Sequence, residues 1–196
     1  PEPMVPVLLY VVALACEVIW LGLAEINAWG LAPHLGSLQH MWAMIGATPF
    51  FALAWWSARR WTLPAGVELL ALLGGAVAVH AVLWFGPLQG TSDGWRYLWD
   101  GRVQDHGVNP YQYAPDAFPL EPLREGVLFP NVFRRHLPTC YPPVAEMWFW
   151  IAYRLTPGGF QGLKAILALH DLVTVVLLWV ALRRRGLPGG QAALFG

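Results

Sequence analysis

Four stretches of this chain are apolar for about the length a helix needs to cross a bilayer, and no other feature constrains the fold as strongly. They cover residues 4–24, 41–58, 65–86 and 162–182. At 1.5 Å per residue, about 20 residues span a hydrocarbon core of roughly 30 Å, and a helix there satisfies its own backbone N–H and C=O groups. Charged residues make up only 12% of the 196, against the roughly 25% of a soluble domain. The fold class expected is all-α, a multi-pass transmembrane helix bundle in the cell membrane. A fifth run, 144–155, is shorter and carries Glu146 and Arg154, so it fits a tilted short span, a re-entrant piece or an interfacial helix.

Several function classes drop out. Twelve acidic and twelve basic residues leave no net charge and no basic footprint for nucleic acid. Two cysteines, Cys16 and Cys140, build neither a disulfide framework nor a zinc site. There is no metal-ligand spacing, no glycine-rich phosphate loop and no Asp-x-Asp pair in the polar segment, so no cofactor and no divalent metal is expected. The chain starts at a proline, and a new apolar stretch opens at 192–195, which reads as an N-terminal piece of a longer protein.

Arginines in short loops stay on the cytoplasmic side. With Arg59 and Arg60 placed inside, the long segment 87–143 lies outside, as does 25–40. Arg183, Arg184 and Arg185 then fall outside if 144–155 crosses fully and inside if it does not. The domain plan is three spanning helices in 1–86, an external loop in 87–143, and further spanning helices in 144–196. Glu17, Glu68, His80, His170 and Asp171 lie within apolar runs, where ionisable groups face a bundle interior or water.

The external segment holds 11 of the 24 charged residues, yet its tryptophans, tyrosines and phenylalanines argue for order. Thr91-Ser92-Asp93 can cap a helix from about Gly94 to Asp105, with Gly107 as its stop. Trp95, Leu98, Trp99, Arg102 and Val103 share one face of it, which suits a helix lying along the membrane surface. A second short helix is expected within 116–128, and Tyr141-Pro142-Pro143 leads into the next apolar run.

The run Ser92-Asp93-Gly94-Trp95-Arg96-Tyr97-Leu98-Trp99-Asp100-Gly101-Arg102, followed by Gly107-Val108-Asn109-Pro110-Tyr111, Tyr113-Ala114-Pro115-Asp116 and Leu137-Pro138-Thr139-Cys140-Tyr141-Pro142-Pro143, resembles the first external loop of bacterial GT-C glycosyltransferases. The likeness is strongest to mannosyltransferase-like members that use polyprenyl-phosphate sugars. Gly94 stands where that family often has a second aspartate, which leaves Asp93 as the sole carboxylate at the spot.

The resemblance implies transfer of a hexose, mannose first among them, from a polyprenyl-phosphate donor to a glycan, lipid or protein acceptor outside the membrane, with inversion. Asp93 would be the catalytic base. Arginine's planar fork suits the departing phosphate, which points to Arg96, Arg134 and Arg135, with His136 behind them. Asp100, Arg102, Asn109, Tyr111 and Tyr141 complete the candidate substrate-binding set. Plainer readings stand beside these: Asp93 as a helix cap, Asp100 with Arg96 as an ordinary i,i+4 ion pair, Asn109 and Tyr111 as turn formers, and the basic cluster as a contact for anionic lipid. A non-catalytic transporter or scaffold is the alternative from another class.

Overall fold

The computed structural model describes residues 4–30, 36–60, 63–85, 92–187 and 189–190, with side chains except at 24–30, 36–40 and 43. Of the outer loop expected at 25–40, residues 25–30 and 36–40 are helical, and 31–35 lie outside the described residues, as do the start of the external segment at 87–91 (Thr91 included) and the apolar stretch at 192–195. Among the described residues there are helices and turns and no strand. In order these are α1 (Met4–Gly30), α2 (Gly36–Ala58), α3 (Ala65–Phe85), α4 (Asp93–Asp105), a 3-10 helix (Phe118–Leu123), α5 (Leu128–Asn131), α6 (Pro143–Leu155) and α7 (Gln161–Arg184). The chain forms two compact units: Pro1–Gln89 with Ala168–Gly196, and Gly90–Leu167.

Among the described residues, three helices are long and apolar enough to cross a membrane: Met4–Leu23 of α1, α3 and α7. The second expected run forms α2 but is not among the three. Thr48, Pro49, Ser57 and the tryptophans 42, 55 and 56 make it less apolar. The first unit packs around Tyr10, Ala13, Ala54, Ala58, Leu72 and Val175, so all four helices of that unit meet in one cluster. Small residues allow the close approach that membrane helices use in place of a hydrophobic drive. Gly75 is one of them, since a methyl there would run into the Tyr10 hydroxyl.

Ionisable residues of the apolar runs find partners within that unit. Glu68 is buried and accepts hydrogen bonds from Trp179 Nε1 at 2.9 Å and from the Gly190 amide at 2.8 Å. His80 Nε2 lies 3.2 Å from Asp171 Oδ2.

In the second unit α4 begins and ends close to where the sequence places it, with Gly107 at φ 74° just beyond its end. Its expected apolar face does not lie on a membrane surface. Leu98, Trp99 and Val103 are buried inside the unit, and Trp99 meets Phe129 of α5 at 5.3 Å between ring centroids. The opposite face is buried too, since Arg96 and Asp100 are only 6% and 1% exposed. Coverage on both sides comes from α6 and from the segment that runs into it. Gly101 permits this, because a β-carbon there would overlap the Phe149 carbonyl oxygen of α6.

The single short helix expected in 116–128 is instead a 3-10 helix and a separate α5. Pro122 removes an amide that an α-helix would use, and Gly126 sits at φ 83°, a left-handed turn that ends the first piece. With 13 residues, α6 is about 20 Å long, short of the roughly 30 Å of a hydrocarbon core.

Candidate functional site

The first turn of α4 and the segment Phe133–Tyr141 enclose a cleft of about 440 Å³. Asp93, Arg96, Arg134 and Tyr141 line it, together with Ser92, Phe133, Leu137, Pro138 and Cys140. Four of the candidate residues read from the sequence, separated by up to 48 positions in the chain, therefore share one wall.

Asp93 is half-buried at the first residue of α4, and Ser92, not Asp93, occupies the cap position. A carboxylate in the first turn is favoured by the helix dipole. Two phenols stand beside it. Tyr97 and Tyr141 meet edge to face at 5.0 Å, with Phe149 stacked on Tyr97 at 4.3 Å. Burial, with the Asp93 charge adding to it, pushes both phenols above the ordinary tyrosine range, so both stay protonated and able to donate. Tyr97 does not line the cleft itself but packs against Tyr141, which does, a contact that the sequence reading missed.

Arg96 is the most constrained group at the cleft. Its Nε reaches both carboxylate oxygens of Asp100 at 2.9 Å, and its Nη1 donates to the Leu137 carbonyl at 3.0 Å. Its Nη2 is buried with no hydrogen-bond partner. Among the described residues, Arg102 Nε and Trp55 Nε1 share that condition, but neither residue lines the cleft. A buried donor without a partner costs about 1–3 kcal/mol and calls for an explanation. Nε and Nη1 are already held, so the guanidinium is fixed in place beside the cleft.

Arg134 is the other cation of the wall, and its backbone sits at φ 52°. A left-handed conformation in a residue with a side chain is uncommon, and such strain gathers at functional sites.

Behind Arg96 runs a buried polar chain. Asp100 accepts from Arg96 Nε on both oxygens, and Thr139 Oγ1 donates to Glu146 Oε1 at 2.6 Å. Glu146 Oε2 accepts from Gln104 Nε2 at 2.8 Å. Burial raises Asp100 to about 6, against the lowering pull of Arg96. It raises Glu146 to about 7, with Thr139 pulling the other way. Thr139, Glu146 and Gln104 were also missed. A lone glutamate in an apolar run gave the only signal, because a buried acid must find a partner.

The remaining candidates do not line the cleft. Asn109 Oδ1 accepts the Tyr111 amide at 3.0 Å, which shapes the turn, and the Tyr111 hydroxyl donates to the Tyr141 carbonyl. Arg102 donates to the Glu125 carbonyl at 2.6 Å. Arg135 turns inward to the carbonyls of Val132 and Pro130 and lies over the Phe129 ring at 4.8 Å. His136 is exposed on the same segment. Among the described residues no group of three His, Cys, Asp or Glu is placed to hold a metal ion.

No protein-family model, curated protein or solved structure matches this chain.

Proposed function

We propose that this chain belongs to a membrane glycosyltransferase that moves a hexose, mannose first among the candidates, from a polyprenyl-phosphate donor to an acceptor outside the cytoplasmic membrane. The observation that carries the reading is the cleft itself, which one carboxylate, Asp93, lines together with two guanidinium-bearing residues, Arg96 and Arg134. The spaced motifs from Ser92 to Pro143 resemble those of the GT-C superfamily and favour the same chemistry.

In this mechanism the lipid phosphate is a ready leaving group, so the protein has two tasks. Asp93 takes the proton of the acceptor hydroxyl as that oxygen attacks the anomeric carbon, while the bond to the phosphate oxygen breaks on the opposite side with inversion. Arg96 and Arg134 hold the charge that grows on the departing phosphate. Tyr97 and Tyr141, kept protonated, orient the groups beside Asp93 by donating hydrogen bonds.

The test is transfer of a labelled sugar from a polyprenyl-phosphate donor by membranes carrying the full-length protein. Asp93→Asn keeps the first-turn polarity and side-chain shape but removes the base, so transfer is expected to fall by at least about 100-fold at matched expression. Equal transfer by wild type and variant reduces Asp93 to a helix-start residue. No transfer by either, across several donors, favours a non-catalytic transporter or scaffold.

A further inference from the structure

We propose that Arg59, Arg60, Arg183, Arg184 and Arg185 form one surface at one end of the first unit, and that it holds the phosphates of anionic phospholipids in the cytoplasmic leaflet.

The two clusters lie far apart in the sequence, and the packing of α2, α3 and α7 brings them to one place. At the end of α7, Gly186 at φ 71° turns the chain back, and the Leu187 amide donates to the Leu182 carbonyl at 3.0 Å. The returning residues lie against the ends of the other two helices. The Gly190 amide donates to Glu68 Oε1 at 2.8 Å, and a β-carbon on Gly190 would overlap the carbonyl oxygen of Ala58, the last residue of α2. Glu68, in the first turn of α3, also accepts from Trp179 Nε1 at 2.9 Å and lies 3.8 Å from Arg183 Nη1. The last turns of α2 and α7 and the first turn of α3 therefore share one end of the unit.

All five arginines are exposed there. Among the described residues of these helix ends the one acid is Glu68, which is buried and offsets Arg183 only. Tryptophans stand beside the cations: Arg59 lies over Trp55 at 5.0 Å, Arg60 over Trp56 at 4.4 Å, and Arg183 is 6.0 Å from the Trp179 ring. Indole rings settle at the headgroup level of a bilayer, and long cationic side chains extend from that level to the phosphates. Since α3 and α7 are long and apolar enough to span, the anions within reach of arginines at their ends are lipid phosphates.

The same packing decides which side Arg183, Arg184 and Arg185 occupy. Glu68 meets Trp179 and His80 meets Asp171, at 2.9 and 3.2 Å, so α3 and α7 run in opposite directions. Between Phe85 and Gln161 the chain then crosses the bilayer an even number of times. Among the described residues of that stretch the longest apolar helix is α6, which at about 20 Å does not span, so the number is zero. Both arginine clusters then obey the positive-inside rule together.

Contact of the full-length protein in vesicles with spin-labelled phosphatidylglycerol, compared with spin-labelled phosphatidylcholine, tests the lipid surface. Each arginine near an anionic lipid surface is worth about fivefold, so a preference for phosphatidylglycerol of at least about threefold is expected. It should vanish in R59Q/R60Q/R184Q/R185Q, which spares Arg183 and its contact with Glu68, and persist in R59K/R60K/R184K/R185K, which keeps the charge. No preference in wild type, a preference that survives the glutamines, or one lost with the lysines overturns the proposal. Excess inorganic phosphate at constant ionic strength should leave the preference in place, and competition by it overturns lipid as the ligand. In a Cys16→Ala, Cys140→Ala background, Arg60→Cys and Arg185→Cys should both resist a membrane-impermeant maleimide in intact cells and react after permeabilisation. Labelling of either in intact cells overturns the shared cytoplasmic face. Neither readout uses sugar transfer, so the lipid surface and the cleft stand or fall separately.

Discussion

Gly101→Ala sets two effects of known size against each other. Alanine in a helix interior is worth about 0.5–1 kcal/mol more than glycine, so propensity alone makes the variant more stable. The structure opposes it, because the new β-carbon would overlap the Phe149 carbonyl oxygen and stand 2.8 Å from Tyr153 Cβ. The obstacle is backbone, which cannot rotate aside, so α6 must move away from α4. Overpacking of this kind costs about 1–3 kcal/mol. The same movement strains the Gln104–Glu146 and Thr139–Glu146 hydrogen bonds, at 2.8 and 2.6 Å, each worth about 1 kcal/mol. The net expectation is destabilisation by about 1–3 kcal/mol, a fall of about 5–15 °C for a unit of 60–100 residues. Heating the intact protein in detergent and following protease cleavage within Gly90–Leu167 reads this out. A variant that resists cleavage to the wild-type temperature or higher refutes the close α4–α6 contact, and with it the scaffold that gathers the cleft.

Three further outcomes follow from the same geometry. The folded unit holds protons on Asp100 and Glu146 that an unfolded chain has already released, since both lie above their ordinary values, so its stability should decline as pH rises from about 4 to 7, by at most about 1.4 kcal/mol per pH unit for each proton; cleavage temperatures across that range measure it, and Glu146→Gln should flatten the slope. Cys140 is exposed at the cleft, so a membrane-impermeant maleimide is expected to label it in intact cells; labelling only after permeabilisation would reverse the orientation drawn from Arg59 and Arg60. Arg96→Lys keeps the charge but cannot bond both oxygens of Asp100 and the Leu137 carbonyl together, so sugar transfer should fall further in it than in Arg134→Lys; equal behaviour of the two would remove the special place of Arg96.

The apolar helices were legible because length and hydropathy are properties of a contiguous stretch, and α4 was legible because its start and stop residues are local. The short helices after it were not, since Pro122 and Gly126 act on backbone geometry that an apolar pattern does not record. The pair Arg96 and Asp100 looked like a surface ion pair worth a few tenths of a kcal/mol. It is buried because residues about 40 positions away close over it, with the Leu137 carbonyl on Arg96. Trp95 and Trp99 looked like membrane-surface residues for the same reason: their neighbours in the fold, Phe160 just before α7 and Phe129 of α5, are far away in the chain. Glu146 reaches Gln104 across 42 positions, and no local pattern carries that contact.

The polar chain behind Arg96 is hard to explain as packing. Replacing a buried ion pair with well-fitted apolar side chains is often neutral or stabilising, so α4 and α6 have no need of two acids, a hydroxyl and a guanidinium to hold together. Gly101 and the stacked rings of Tyr97 and Phe149 already join them. What the polar chain adds is direction. It occupies two nitrogens of Arg96 on protein acceptors and so fixes the guanidinium beside a cleft that a second arginine, Arg134, lines in a left-handed conformation. A rigid donor, desolvated before its ligand arrives, loses little on binding a charged oxygen and gains the full strength of the interaction in a site of low dielectric. On the proposed reading of the cleft as an anion site, the buried Asp100 holds Arg96 in place before the anion arrives.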